Sequence, residues 1–379
     1  MSDIVIAAYR RSPFHLASKG ALTKLRPDEM AAQVIRALVA DSGIDPGTIE
    51  DLILGCAFPE GEQGLNVARL VGFIAGLPQG VAGVTVNRFC GSSMQSIHQA
   101  AGAIRMGAGE AFLCAGVESM SRVPMGGYNV LPHPGLAADY PAAYMGMGET
   151  AENVAHRHQI PRVAQEEFAV ESQRRAAAAQ AAGKLAAEIV PVTVGKESIA
   201  ADGCLRPDTS AEGLAGLKPA FRTDGTVTAG TASPLTDGAA AVLVCTEEYA
   251  RAHGLKPLAR IKSIAVAGCA PEVMGMGPVG ASRKAMERAG ITVRDLDVVE
   301  LNEAFASQAI ACMRELGLDP ATVNIDGGAI ALGHPLGATG ARITGKAAAL
   351  LQRERGRYAL ATQCIGGGQG IATVLEAVS

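Results

Sequence analysis

Two cysteines, a histidine and an asparagine carry the chemistry that this chain of 379 residues can do. Cys90 stands in the stretch Val84-Thr85-Val86-Asn87-Arg88-Phe89-Cys90-Gly91-Ser92-Ser93-Met94. Its short β-branched beginning predicts a buried strand. Behind Cys90, Met94, Ile97, Ala101 and Ile104 recur in steps of three and four, the stripe of one helix face. The thiol is therefore expected where a strand turns into a helix. Free N–H groups and the positive end of the helix dipole favour a thiolate there. Gly91 permits a close approach, and Ser92 is placed to cap the helix. Taken alone, a small cysteine at a strand end is more often a core residue.

Three further stretches offer partners. Residues 327–340 place five glycines and His334 in a turn before a helix. Between Gly333 and Pro335 the imidazole is uncrowded, and when neutral it can take the Cys90 proton. An isolated loop histidine more often bonds a nearby carbonyl. Cys364 follows an apolar strand and precedes Gly366, Gly367 and Gly368, which suggests a second thiol beside N–H donors. A core cysteine before a flexible turn is the plainer alternative. Asn302-Glu303-Ala304-Phe305 closes another strand, where Asn302 can hold a water or a carbonyl, or make an Asx turn.

The elements that position these groups form a repeat. Residues 27–41 make an amphipathic helix with Pro27 in its first turn and Gly43 behind it, followed by the strand 52–58. Residues 281–289 make a second helix ending at Gly290, followed by the strand 296–305. Gly43 to Phe58 and Gly290 to Phe305 both span fifteen steps. Thr85-Val86-Asn87 recurs as Thr322-Val323-Asn324, each before a glycine-bearing turn, a helix and an apolar strand (111–116 and 358–363). This is a duplicated βα unit. Alternating strands and helices predict an α/β protein with a mainly parallel sheet covered on both faces, its sites at the carboxyl ends of strands. Between the halves, residues 120–144 are rich in Pro, Gly and Met without a clear period, and 161–182 read as a long helix. That insert is expected to lie over the sheet as a lid or ligand platform.

Composition narrows the class. A net charge of −4 with no basic run argues against nucleic-acid binding. A strand pattern begins at Asp3, leaving no room for a secretory leader, and no run of about eighteen apolar residues predicts a membrane span. Eight cysteines without C-x-x-C spacing point to free thiols in a reducing, cytoplasmic compartment rather than to disulfides or a zinc site.

Together the Cys90 stretch, Asn302-Glu303-Ala304-Phe305, Gly333-His334-Pro335 and Cys364-Ile365-Gly366-Gly367-Gly368 resemble the four signatures of the thiolase family, in order and over the whole chain. Asn87 to Gln95 is more similar to bacterial degradative 3-ketoacyl-CoA thiolases than to biosynthetic acetoacetyl-CoA thiolases. The resemblance implies the thiolase-like duplicated fold: two similar mixed-sheet halves layered α-β-α-β-α. The first half would be residues 1–117, completed by about 232–255; the inserted loop domain 118–231; the second half 256–379. It implies that Cys90 is acylated, that His334 takes its proton, and that Asn302 holds a water beside the thioester oxygen. Cys364 becomes the acid and base of C–C cleavage, and the N–H groups of Cys90 and Gly366 form an oxyanion hole. Coenzyme A would be a substrate, with no permanently bound cofactor and no metal. Arg206 would lie near its adenine, Phe221 and Ser233 along the pantetheine, and Met147, Met274, Ala304 and Phe305 around the acyl group. Gly146 stands where biosynthetic relatives carry a histidine, which leaves room for a longer chain. The family also implies a homodimer or homotetramer, with a hydratase/dehydrogenase subunit as a possible associate.

Two other readings stay open at this level. A ketoacyl-carrier-protein synthase would use two histidines where this chain has His334 with Asn302 and a second cysteine. A non-catalytic acyl-CoA-binding subunit has no need of Cys90, His334 and Cys364 together.

Overall fold

The two halves of the repeat become two strand sets with the same order. The computed structural model describes residues 3–378. In the first half, strand β1 (Ile4–Arg11) is followed by helix α1 (Pro27–Ser42), β2 (Asp51–Gly55), α2 (Val67–Ala75), β3 (Ala82–Val86), α3 (Ser92–Arg105) and β4 (Ala111–Ser119). The insert contributes α4 (Met147–Arg157) and α5 (Arg162–Ala181), after which β5 (Thr236–Thr246) closes the half. The second half runs β6 (Ala259–Gly268), α6 (Gly277–Ala289), β7 (Val298–Leu301), α7 (Ala306–Leu316), α8 (Leu336–Glu354), β8 (Tyr358–Ile365) and β9 (Gln369–Glu376).

Strand order is β3-β2-β4-β5-β1 in the first half and β7-β8-β9-β6 in the second. In the first, β2 is parallel to β3 and β4, and β5 is antiparallel to β4 and β1. In the second, β7 is parallel to β8, and β9 is antiparallel to β8 and β6. Two pairs, Val5 with Arg260 and Ile6 with Ala259, join the halves into one ten-stranded array, the tenth being the two-residue strand His15–Leu16 that pairs with β5.

Side chains of α3 and α8 fill the space between the halves. Met94, Ile97 and Ile104 meet Ile343, Ala347 and Leu351, and both sets pack on Ile53, Phe112 and Val242 on one side and Ala361 and Ile371 on the other. Helices α1 and α2 cover the outer face of the first half over Leu52, Leu54 and Leu113; α6 and α7 cover Val299, Leu301 and Leu360. Five layers result. The glycines of the His334 stretch serve this packing: a Cβ on Gly340 would lie 2.2 Å from the Met94 nitrogen, and one on Gly337 2.4 Å from the Val117 oxygen.

Three expected strands are shorter than their sequence patterns. Thr322-Val323-Asn324 makes a single parallel bridge, Val323 with Val299, rather than a strand. Asn324 adopts φ 48°, and its side-chain amide takes the Leu301 N–H (3.0 Å) and donates to the Leu301 oxygen (2.8 Å). Arg175 claims the Val323 oxygen at 2.6 Å. Side chains thus replace the ladder. Strands β2 and β7 stop at Gly55 and Leu301, short of the expected Phe58 and Phe305. Past Gly55, the Glu118 carboxylate takes the Ala57 and Phe58 N–H groups (2.8 and 3.3 Å).

The insert is anchored from below. Arg11, fully buried on β1, donates to Glu188 (2.8 Å) and to both oxygens of Asp202 (2.7 and 2.8 Å). Removing one partner of such a buried pair typically costs about 3–5 kcal/mol. Among the described residues, no helix is long and apolar enough to cross a membrane.

Candidate active site

Cys90 lies in the turn between β3 and α3. The Asn87 side-chain oxygen takes the Phe89 N–H (2.8 Å), Phe89 adopts φ 43°, and the Gln363 amide donates to the Cys90 carbonyl. Ser92 does not cap the helix as expected. It is the first helical residue, and its hydroxyl donates to the Phe89 oxygen (2.6 Å) while accepting from the Arg88 N–H (2.9 Å). Its role is to close the turn from inside.

The resting thiol also differs from expectation. Burial pushes Cys90 up to about 12, against hydrogen bonds from the backbone N–H groups of Gly366 and of Cys90 itself, which lower it. Desolvation outweighs the helix end, so the thiol is protonated at rest and needs a base.

His334 can be that base. The Gly333 backbone at φ 100° delivers it, and its N–H donates to the Thr236 hydroxyl at 3.0 Å. Ring Nδ1 lies 2.6 Å from Thr339 Oγ1, whose own proton goes to the Pro335 oxygen at 3.0 Å. Nδ1 is therefore the protonated nitrogen, and Nε2 is left with its lone pair. The Asn302 Nδ2 lies 3.3 Å from Nε2, and Asn302 Oδ1 is buried without a partner. Burial first, then the Arg342 charge, push His334 down to about 3, so the ring is neutral.

Cys364 ends its apolar run inside β8 and is fully buried. Burial, then the nearby Cys90, push its thiol well above the ordinary range. It packs with Met274, Ala304 and Phe305. Met147, at the start of α4, touches this group and also the one formed by Cys90, Ala57, Met120 and Leu336. Phe89 and the Met147 sulfur flank Gly366, 3.7 and 3.8 Å from where its Cβ would lie. Cys90, Cys364, Gly366, Met147, Met274, Ala304 and Phe305 thus line one apolar chamber, which Leu336 ties to the His334 stretch and Ala304 to the Asn302 stretch.

Phe221 and Ser233 sit at its edge. The half-exposed Phe221 ring meets Phe305 edge-on at 5.8 Å and occupies the space over Gly148, where a Cβ would fall 2.1 Å from the ring. Ser233 Oγ donates to the Ala304 oxygen at 3.1 Å. Arg206 lies apart, exposed on a turn of the insert, its N–H held by Gln173 at 2.8 Å.

Several positioning residues escaped the sequence reading. Glu118, buried at the end of β4, holds the Ala57 N–H, the Gln63 amide (2.8 Å) and the Gly337 N–H (2.9 Å). It ties the Cys90 side of the chamber to the His334 stretch. Glu303 takes the Ser172 hydroxyl (2.6 Å), the Asn324 amide (2.9 Å) and the Ile330 N–H (3.1 Å), fixing the short helix Ala329–Leu332 before His334. A carboxylate closing an all-apolar strand was the available signal for Glu118.

Comparison with known proteins shows the family. The family descriptions "Thiolase, N-terminal domain" and "Thiolase, C-terminal domain" match residues 4–248 and 255–377. The chain belongs to the thiolase family. It is 47% identical to the 3-ketoacyl-CoA thiolase of Bacillus subtilis (strain 168), over 99% of this chain and all of that protein. It is 48% identical to the 3-ketoacyl-CoA thiolase of Shewanella loihica, with the same coverage. Human mitochondrial 3-ketoacyl-CoA thiolase, solved in complex with CoA, superposes with a TM-score of 0.93 at 38% identity, over 100% of this chain and 98% of that one.

Proposed function

We propose that this chain is a 3-ketoacyl-CoA thiolase, an acyltransferase that cleaves 3-ketoacyl-CoA with coenzyme A in fatty-acid β-oxidation. One observation carries the reading: two buried thiols share a chamber in which the Gly366 and Cys90 N–H groups converge on the Cys90 sulfur. Cys90 loses its proton to His334 Nε2 as its sulfur attacks the substrate's 3-keto carbon. The C2–C3 bond then breaks, leaving the acyl group on Cys90 and an acetyl-CoA enolate that Cys364 protonates. Cys364 next takes the proton of an incoming coenzyme A thiol, whose sulfur attacks the Cys90 thioester. The shortened acyl-CoA leaves, and His334 returns the proton to Cys90. The Cys90 and Gly366 N–H groups stabilise one developing oxyanion, and His334 with a water on the open Asn302 oxygen stabilises the other. No bound cofactor or metal enters these steps. A thiolysis assay over 3-ketoacyl-CoA chain lengths tests the function; no cleavage at any length would end it.

Phe221 and Ser233 would line the pantetheine, and Met147, Met274, Ala304 and Phe305 the acyl group. Arg206, exposed and away from the chamber, suits the distal adenine. Arg206→Ala is expected to raise the KM for coenzyme A and leave kcat nearly unchanged, because a contact far from the reacting atoms contributes uniform binding. A large fall in kcat at saturating coenzyme A would place Arg206 nearer the chemistry.

Chain length follows from the same chamber. Gly146 is exposed just before α4, and a Cβ there would meet nothing closer than the Glu149 carboxylate at 3.7 Å. Each buried methylene contributes about 0.8 kcal/mol, so four extra carbons give up to roughly two orders of magnitude, less the cost of ordering the chain. A clear but smaller preference for medium chains is expected, and Gly146→His is expected to restore a short-chain bias. An unchanged chain-length profile in that variant would remove the basis for the preference and favour the biosynthetic acetoacetyl-CoA reading.

The domain division at 118–231, a cytoplasmic location and a homodimer or homotetramer, with a hydratase/dehydrogenase subunit as associate, belong to the same proposal. Self-association is supported by β3, paired among the described residues only to β2, with exposed Val84, Leu65, Phe73 and Met106.

A further inference from the structure

We propose that Gln363 is a positioning residue for the oxyanion hole: from the face of β8 opposite Cys364 it holds the Cys90 carbonyl, and so sets the spacing of the Cys90 and Gly366 N–H groups. The inference rests on the reading of those two groups as the hole for the Cys90 thioester. It extends that reading to a residue facing away from the second thiol.

The geometry follows from the alternation of a strand. Gln363 and Ile365 are two apart in β8 and share a face, while Cys364 between them points the other way. Ile365 packs with Met94 and Ile97 of α3, and Cys364 with Met274, Ala304 and Phe305. The two residues on the α3 side grip the start of that helix. The Gln363 amide donates to the Cys90 carbonyl, and a Cβ on Gly91 would lie 2.6 Å from Ile365 Cδ1. Next along the chain is Gly366, whose N–H, with that of Cys90, donates to the Cys90 sulfur. One arm of the hole is therefore carried by β8, and the other by the turn that Gln363 ties to β8. Beyond Gly366 come Gly367 and Gly368, at φ 80° and 84°, with no side chains to hold the turn. Its place is set by the strand before it and by the Cys269 N–H, which donates to the Gly368 oxygen at 2.8 Å.

The amide differs from ordinary packing. Gln363 is fully buried, and its Oε1 has no partner. A side chain needed only to fill that space would be apolar, since a buried amide with an open acceptor costs stability. The bond that it does make goes to the carbonyl of the nucleophile itself. Other bonds close the Cys90 turn locally: Asn87 takes the Phe89 N–H (2.8 Å), and Ser92 donates to the Phe89 oxygen (2.6 Å). Those bonds shape the turn. The Gln363 bond, with Arg88 on the Gln369 side chain (2.7 Å), registers it against the second half.

The test separates the hole from the nucleophile. Gln363→Met keeps the shape and loses the donor; Gln363→Asn keeps an amide on a shorter stem. Acylation by acetyl-CoA, without free coenzyme A, passes through an oxyanion and is followed on the Cys90 peptide by rapid quench and mass spectrometry. Alkylation of Cys90 by iodoacetamide uses the same thiol and forms no oxyanion. Each variant is expected to acylate about 10- to 100-fold more slowly at saturating acetyl-CoA. The half-saturating concentration, the final yield of acyl-enzyme and the rate of alkylation are expected to stay as in wild type. A wild-type rate constant for acylation in either folded variant, whatever the yield, would overturn the inference. So would alkylation slowed by the same factor as acylation, which would put the effect on the thiol and its base. Should Gln363→Met not fold, Gln363→Asn decides; failure of both to fold would assign Gln363 to packing and overturn the inference too. A wild type that acquires no acyl group on Cys90 would sink the thiolase reading itself, whereas acylation untouched by the variants sinks only the role of Gln363.

Discussion

Cys90→Ala is expected to abolish thiolysis while leaving the fold intact. In the proposed reaction the sulfur carries the acyl group, so neither His334 nor Cys364 replaces it. Burial holds its thiol at about 12 and pushes the His334 ring down to about 3, so that ring is neutral. Neither group ionises at rest near neutral pH, so the proton moves only as the thioester forms. Alanine keeps the packing against Ala57, Met120 and Leu336 and removes one small polarisable atom. Thermal melting close to wild type, with coenzyme A binding retained, would separate lost chemistry from lost structure. Measurable cleavage by the folded variant would contradict the assignment.

Cys364→Ser is expected to divide the reaction in two. Acylation of Cys90 by a simple acyl-CoA needs no proton on an enolate and is expected to continue. Cleavage of 3-ketoacyl-CoA is expected to fall by about 10²–10⁴-fold, the usual contribution of a positioned acid or base, because a hydroxyl is a far weaker acid than a thiol. The position suits that function: Cys364 lies in the same apolar chamber as Met274, Ala304 and Phe305, close enough to Cys90 for that thiol to bear on its ionisation. Acyl exchange and cleavage are to be measured on one preparation. Equal losses in the two would deny Cys364 a separate proton-transfer role.

Much of this arrangement was legible in the sequence because it depends on local patterns. The helix face of Met94, Ile97 and Ile104 forms as read, and so does the strand before Cys90, but as a sheet-edge strand with Val84 exposed and only Val86 buried rather than as the buried strand expected. The duplication was readable in Gly43 and Gly290, which end α1 and α6 in the left-handed conformation that glycine favours. What stayed hidden depends on groups far apart in the chain. Nothing near Thr322-Val323-Asn324 announces that Arg175 takes the Val323 oxygen and that the Asn324 amide stands in for a strand. Ser92 was drawn away from capping by the Arg88 and Phe89 backbone. The thiolate expected at a helix end gives way to desolvation, since burial of Cys90 needs both halves of the molecule and the insert. Glu118 looked like the last residue of a strand, yet its carboxylate spans from Ala57 to Gly337.

The central claim is that Cys90 carries the acyl group while Cys364 moves the proton. It is tested most directly by mixing wild type with an acyl-CoA, in the absence of free coenzyme A, and mapping the adduct by mass spectrometry. The account predicts a thioester on the Cys90 peptide, lost again when coenzyme A is added. An adduct on Cys364 alone, or none on either cysteine, would contradict it.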